Sequence, residues 1–313
     1  MVSRKVISIC IPVMNEEASI EILVKTLNKL ADQLDRFEFE FLFSDNNSTD
    51  GTWELLKKLQ FHNLRIKGIR FSRNIGYQNS ILQNYYTAKG DALIQYDADM
   101  QDPPEMIQEF IRFWEKGFDV VYGIRSARKG SKFDSLVRNI GYRALHWASD
   151  GLLHKNVGDF RLLDKKVLLE LKKREYVNPY LRGIVASLGF KEIGITYERH
   201  ERKTGKSKFS SIQVVSMGVA GLLNYSTKPL KVFIPIAALL SCASILGIFW
   251  VFFLFFSNKP LPPGFSSTQA ILFATMALNA FFFAILGQYV LKIFNALYPT
   301  KLAFVEDEIQ PSI

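Results

Sequence analysis

The sequence predicts an α/β domain with a mostly parallel sheet, followed by a pair of membrane helices. Three observations carry that expectation. Short apolar, β-branched runs alternate with helix-periodic stretches through the first 125 residues. Polar clusters fall at the carboxyl ends of those runs, where open parallel sheets bind ligands. Two long stretches without any charge lie near the carboxyl terminus.

Taken in order, residues 6–12 (VISICIP) read as a strand and 16–34 have helical periodicity. A second strand over 37–43 runs into the polar segment 44–52, and a helix follows over 53–59. Residues 64–71 give a third strand, 78–88 another helix, and 92–96 a short buried strand that delivers Asp97. A further strand over 118–123 precedes Arg125 and Arg128. The clusters Asn15-Glu16, Asp45-Asn46, Ser72-Arg73-Asn74 and 97–102 all follow strands, so the topology brings them to one edge of the sheet. This domain is expected to occupy 1–205.

Residues 232–258 and 260–291 carry no charged side chain, and each run exceeds the roughly 20 residues that cross about 30 Å of hydrocarbon. Spans over about 232–256 and 269–291 form a hairpin within 231–292, joined by a turn-rich connector at 257–264. Lys203, Lys206, Lys208, Lys228 and Lys231 precede the hairpin and Lys292 and Lys301 follow it, whereas the connector holds only Lys259. The positive-inside rule then puts the domain and both termini on the cytoplasmic side of a cytoplasmic (inner) membrane. Residues 206–230 have an apolar face at helical spacing behind a lysine cluster, which suits a helix in the headgroup layer or one packed on the domain. In the tail, 293–313, Glu306-Asp307-Glu308 reads as a solvated charged end. No secretory signal is expected, since the first apolar run is short and contains Pro12.

The net charge is +9, but the basic residues gather between Arg199 and Lys231, beside the hairpin. Anionic headgroups or a phosphorylated lipid fit that placement better than nucleic acid. Cys10 falls in a strand and Cys242 in a span, so neither a disulfide nor zinc is indicated, and the four histidines have no metal-ligand spacing. The sequence fixes no copy number and is compatible with a homo-oligomer.

The chemistry concentrates in Asp97-Ala98-Asp99-Met100-Gln101-Asp102-Pro103-Pro104-Glu105. Alternate positions on an extended backbone face the same way, so Asp97 and Asp99 can share one crevice. Two carboxylates there can seat Mg²⁺ or Mn²⁺ held through a substrate's phosphates; the same pattern is common in solvated turns. Gln101 is near enough in sequence to contact either. Pro103 and Pro104 then open a helix, with Glu105 at its positive end.

With Pro12-Val13-Met14-Asn15-Glu16 and the segment 44–52, this stretch resembles the ordered motifs of family-2 glycosyltransferases with the GT-A fold. Gly158-Asp159-Phe160-Arg161-Leu162-Leu163 and Arg199-x-x-Arg202-x-x-Gly205-Lys206-Ser207-Lys208-Phe209 resemble the branch that glycosylates polyisoprenyl phosphates. Leu286-Gly287-Gln288-Tyr289 is similar to a motif in the second span of bactoprenol glucosyltransferases. Two positions depart from the family, Asn46 where an aspartate is usual and Gln288 where a glutamate is usual.

The resemblance implies inverting transfer of one hexose, glucose from UDP-glucose, to undecaprenyl or another polyprenyl phosphate. It implies that Asp99 binds Mg²⁺ or Mn²⁺ with Asp97 sharing the ion or touching the nucleotide sugar. Asp159 then acts as base or completes the metal shell. Pro12, Glu16 and Asp45 surround base and ribose, although Asn15-Glu16 also reads as a helix cap. Arg125 follows a strand and would meet the donor's phosphates. Arg199, Arg202 and Lys208 would bind the acceptor phosphate, with a generic polybasic anchor as the plainer alternative. A GDP-mannose or UDP-aminosugar transferase of the same branch fits the same motifs, and a membrane-anchored binding protein without the chemistry is a different class. A processive polysaccharide synthase fits less well, since none of the four tryptophans follows an arginine.

Overall fold

The computed structural model describes residues 4–126, 156–200 apart from 175, 177 and 178, 304–310, and scattered positions between 235 and 293. The chain divides into two compact units, Met1–Val214 with Thr300–Ile313, and Val215–Pro299.

The first unit is an α/β sheet structure of the GT-A, Rossmann-like kind. Its elements are β1 (Lys5–Val13), α1 (Glu17–Gln33), β2 (Phe37–Asp45), α2 (Thr52–Gln60), β3 (Ile66–Phe71), α3 (Tyr77–Thr87), β4 (Ala92–Gln95), α4 (Glu105–Glu115) and β5 (Val120–Arg125). After these come β6 (Val157–Asp164), α5 (Lys165–Lys172), α6 (Leu181–Ser187), β7 (Glu192–Tyr197) and β8 (Val305–Ile309). The eight strands lie in the order β7-β5-β6-β4-β1-β2-β3-β8. Strands β3, β2, β1 and β4 are parallel neighbours, as are β5 and β7, while β6 and β8 run antiparallel to theirs.

Strand alternation gives this sheet two unlike faces. Ile7, Ile9 and Ile11 on β1, with Phe39, Phe41 and Phe43 on β2, pack into one core with Leu23 and Leu27 of α1, Trp53 and Leu56 of α2, and Phe110 and Trp114 of α4. The intervening positions face α3 and include the buried polar side chains of Ser8, Glu40 and Ser44 beside Cys10 and Leu42. Ser44 Oγ lies 2.8 Å from Ser80 Oγ and accepts from Asn84 Nδ2 at 2.8 Å. Ser8 donates to Glu40, and Lys67 Nζ lies 2.6 Å from the same carboxylate. Cys10 is free and buried among them.

The acidic tail is not simply a solvated end. Val305–Ile309 pairs antiparallel with β3, with an irregularity between Arg70 and Phe71. Ile309 enters the core, and Asp307 accepts from Trp53 Nε1 at 2.9 Å and pairs with Lys57 at 2.8 Å. Charge along the strand is tolerated because β8 is an edge strand with most of its residues exposed.

Among the described residues no helix is long and apolar enough to cross a membrane. Most of the first expected span, part of the second including Gln288, and the expected helix at 206–230 lie outside the described residues, as do Arg128, Arg202 and Lys208.

Candidate active site

The site gathers where β1, β2 and β4 end and where α3 begins. Strand β4 stops at Gln95, so Asp97 and Asp99 lie in a turn rather than on extended backbone, with Met100 at φ 49°. The alternation expected from an extended chain therefore does not apply. The turn itself brings the carboxylates together. Asp97 accepts the Tyr77 hydroxyl at 2.6 Å, and Asp99 accepts the Gln101 N–H at 3.2 Å. Burial pushes the Asp97 carboxyl up to about 7; the charges of Asp102, Asp99 and Asp159 add to the rise, and the Tyr77 bond opposes it.

Asp159 reaches the same cluster from β6. The alternation there puts Asp159 and Arg161 on the α3 side and Phe160 on the other, where its ring lies 4.5 Å from Phe110 and 5.5 Å from Tyr96. Asp159 accepts from Gln78 Nε2 at 3.2 Å, and Arg182 Nε stands 3.3 Å from its other oxygen. Gln78 also accepts the Leu181 N–H at 3.0 Å, so one side chain joins α3, β6 and α6. Two consecutive residues at the start of α3 thus hold the two acidic arms of the site.

Arg125 and Arg199 are brought to one carboxylate. Arg125 Nη2 lies 3.6 Å from Asp102 Oδ2, and Arg199 Nε lies 3.2 Å from Oδ1. Arg125 lies over Gly158, where a Cβ would stand 2.6 Å from Arg125 Nη2 and displace the guanidinium. Gln101 is buried, and its carbonyl accepts the His200 N–H at 2.9 Å.

Pro12, Glu16 and Asp45 form a second group at the ends of β1 and β2. Pro12 pairs in register with Ser44. Asp45 has no exposed surface; its Oδ1 accepts the Ser48 N–H at 3.1 Å, and Arg70 Nε lies 3.7 Å from Oδ2. Burial raises the Asp45 carboxyl above its ordinary value against the Ser48 bonds and the Arg70 charge. Glu16 occupies the cap position of α1 without a capping side-chain bond, and its carboxylate accepts from Ser19 Oγ at 3.0 Å. Asn15 does not cap either. At φ 53° its side chain turns to accept the Thr49 N–H at 2.8 Å, tying the β1 loop to the β2 loop.

Asn46 explains its own departure from the family pattern. It donates to Asn74 Oδ1 and accepts the Ile75 N–H, both at 2.8 Å, which needs an amide rather than a carboxylate. This bridge joins the β2 end to the loop that leads into Tyr77.

Tyr77, Gln78, Asp102, Arg182 and Tyr197 were not singled out by the sequence. Asp102 carried a readable signal, since it lies in the same acidic run and precedes Pro103-Pro104. The others acquire their roles only through tertiary contact.

Asp97, Asp99 and Asp159 are hard oxygen donors, and their mutual repulsion around Asp97 is what a divalent cation would relieve. The residues present therefore fit Mg²⁺ or Mn²⁺. Among the described residues no three carboxylate, His or Cys groups form a ready-made cage.

A model of glycosyl transferase family 2 matches residues 8–171. The chain is 34% identical over 300 residues to the uncharacterized glycosyltransferase YkcC of Bacillus subtilis (strain 168), covering 96% of this chain and 93% of that one. It is 29% identical over 291 residues to the bactoprenol glucosyl transferase of Shigella phage SfV, covering 92% and 94%. The prophage bactoprenol glucosyl transferase homolog of Escherichia coli (strain K12) is 28% identical over 287 residues, covering 91% and 93%. Among solved structures, glucosyl-3-phosphoglycerate synthase from Mycobacterium tuberculosis, solved with Mn²⁺, uridine diphosphate and phosphoglyceric acid, aligns with TM-score 0.50 at 15% identity, covering 71% of this chain and 78% of that one.

Proposed function

This chain belongs to glycosyl transferase family 2, and from that premise we propose that it moves one glucose from UDP-glucose to a polyprenyl phosphate, with inversion, at the cytoplasmic face of a membrane. The observation that carries this reading is the meeting of Asp97, Asp99 and Asp159 with Arg125 and Arg199 beyond the strand ends. The names of the phage and E. coli relatives support the glucosyl group and the bactoprenol acceptor. Two charge-free runs and the lysines around them support the membrane placement, as do the exposed Leu246, Phe253, Ile271, Phe283 and Val290 in the second unit.

In the reaction, an acceptor phosphate oxygen attacks the anomeric carbon, the bond from that carbon to the β-phosphate oxygen breaks, and the nucleoside diphosphate leaves. Asp97 and Asp99 would hold Mg²⁺ or Mn²⁺, which supplies charge stabilisation to the leaving diphosphate. Tyr77 orients Asp97. Gln78 and Arg182 orient Asp159. A phosphate monoester has its second pKa near 6, so the acceptor is mostly ionised at neutral pH and a strong base is not required. Asp159 is left to accept a residual proton or to complete the metal shell. Arg125 and Arg199, with Arg202 and Lys208, offset the repulsion between two phosphate-bearing substrates. Pro12, Glu16 and Gln101 line the donor side, and the fully buried Asp45 holds the Ser48 loop behind them.

Radiolabel transfer into organic-extractable lipid tests the reading, using the full chain in detergent with polyprenyl phosphate, Mn²⁺ or Mg²⁺, and a panel of UDP- and GDP-sugars. Label from UDP-glucose, abolished by EDTA and by Asp99→Asn, is the expected result. Label from another donor would replace glucose, and no label from any donor would sink the lipid-phosphate acceptor. Wild-type turnover in Asp99→Asn would remove the metal assignment.

A further inference from the structure

Asp102 is 1% exposed, and side chains from two distant segments converge on it. The Tyr197 hydroxyl donates to its Oδ1 at 2.5 Å, Arg199 Nε stands 3.2 Å from that oxygen, and Arg125 Nη2 stands 3.6 Å from Oδ2. Tyr197 also accepts from Arg125 Nε at 3.3 Å, which closes the group into a ring of contacts. The loop is anchored on both sides of this carboxylate. The Tyr96 hydroxyl donates to the Asp102 carbonyl at 2.7 Å, and the Gln101 carbonyl accepts the His200 N–H at 2.9 Å, beside Arg199.

The two arginines are not buried with their partner. Their side chains are 30% and 23% exposed, while the carboxylate side chain is 1% exposed. Within the trio one carboxylate faces two guanidiniums, and the charge of Asp97 also acts on Arg125. A buried acid that only balanced charge would need a single arginine. Two that share it are fixed relative to each other, which is the geometry that recognises a tetrahedral anion through several N–H groups at once.

We propose that Asp102 is a positioning residue that holds Arg125 and Arg199 as a single phosphate-binding pair. The proposal rests on the reading that these arginines meet a substrate phosphate, which can belong to the donor's diphosphate or to the acceptor. Preorganisation spares the ligand the ordering of two long side chains, so loss of the anchor reads out as weaker phosphate binding.

The test is calorimetric titration of the full chain in detergent with UDP plus Mg²⁺, and separately with farnesyl phosphate. The variants are Asp102→Asn, Asp102→Glu, Arg125→Ala and Arg199→Ala. Binding of one probe or both is expected to weaken about tenfold in each Asp102 variant, with the thermal midpoint of Asp102→Glu near wild type. The probe affected identifies the source of the phosphate. Wild-type affinity in Asp102→Glu would overturn the proposal, because charge without placement would then suffice. Weakened binding in both arginine variants with none in Asp102→Asn would overturn it too, while leaving the arginine reading intact. Unchanged binding of both probes in both arginine variants would remove that reading and the proposal together. Should Asp102→Asn fail to fold, the charge-conserving variant decides.

Discussion

The two faces of the central sheet are built from the same strands and obey different rules. On one, Ile7, Ile9, Ile11, Phe39, Phe41 and Phe43 meet α1, α2 and α4 through apolar packing alone. On the other, Ser8, Glu40, Ser44 and Asn84 are joined by directed hydrogen bonds. The helix on that second face, α3, is the one whose first two residues hold Asp97 and Asp159. The apolar face asks only for volume and tolerates many side chains of the right size. A buried polar face asks for particular partners, because each group left unpaired costs more than its bond contributes. The site is mounted on the face where placement is specified.

The apolar face gives the largest expected effect. Phe110 is fully buried with its ring 4.5 Å from Phe160. Phe110→Ala should cost about 3–5 kcal/mol by lost burial and an unfilled cavity. Denaturant melts should show that loss, with the KM for the sugar donor unchanged in the fraction that remains folded. A raised KM at modest cost in stability would break the division of labour between the faces.

The polar face should respond less, and with a pH signature. Burial pushes the Glu40 carboxyl up, but the bonds from Lys67, Ser8 and the Lys89 N–H outweigh it, and the group ends below its ordinary 4.5. Its stabilisation is therefore complete above that value and fades as pH falls through the lower folded-state value. Glu40→Gln should cost about 2–3 kcal/mol at neutral pH, and the gap to wild type should narrow below pH 4.5. A gap independent of pH would show that packing, not the charge pairing with Lys67, is what the substitution removes.

The same contrast decides what could be read from the sequence. Strands β1 to β4 and helices α1 to α4 were legible because their apolar positions keep the periods that the core demands. Strand β6 was visible only as the motif around Asp159, since buried Asp159 and Arg161 interrupt its apolar pattern. Strand β8, VEDEI, has the composition of a solvated tail, and nothing local reveals a partner more than 230 residues away. In the site, Asp97, Asp99 and Asp159 were readable as carboxylates in motifs. Tyr77, Gln78 and Arg182 were not, because an ordinary polar residue becomes a support only when another element arrives opposite it. Arg125 and Arg199 stood out as basic residues expected to meet phosphates, but the carboxylate they share did not.

Asn46→Asp sharpens the comparison with the smallest change, one amide nitrogen exchanged for an oxygen on the polar side. The carboxylate could still accept the Ile75 N–H, but it could no longer donate to Asn74 Oδ1, which also accepts the Gly76 N–H at 2.8 Å. Two acceptors would then face each other, and turning the Asn74 amide over would forfeit the Gly76 bond. We expect a loss of about 1–2 kcal/mol. The loop so disturbed leads straight into Gly76, at φ 83°, and Tyr77. Transfer should therefore fall by more than the stability loss accounts for, read as kcat at saturating donor in protein that is fully folded by thermal melt. If kcat stays at the wild-type value, the bridge serves the fold alone, and the polar face does not pass its geometry on to the carboxylates.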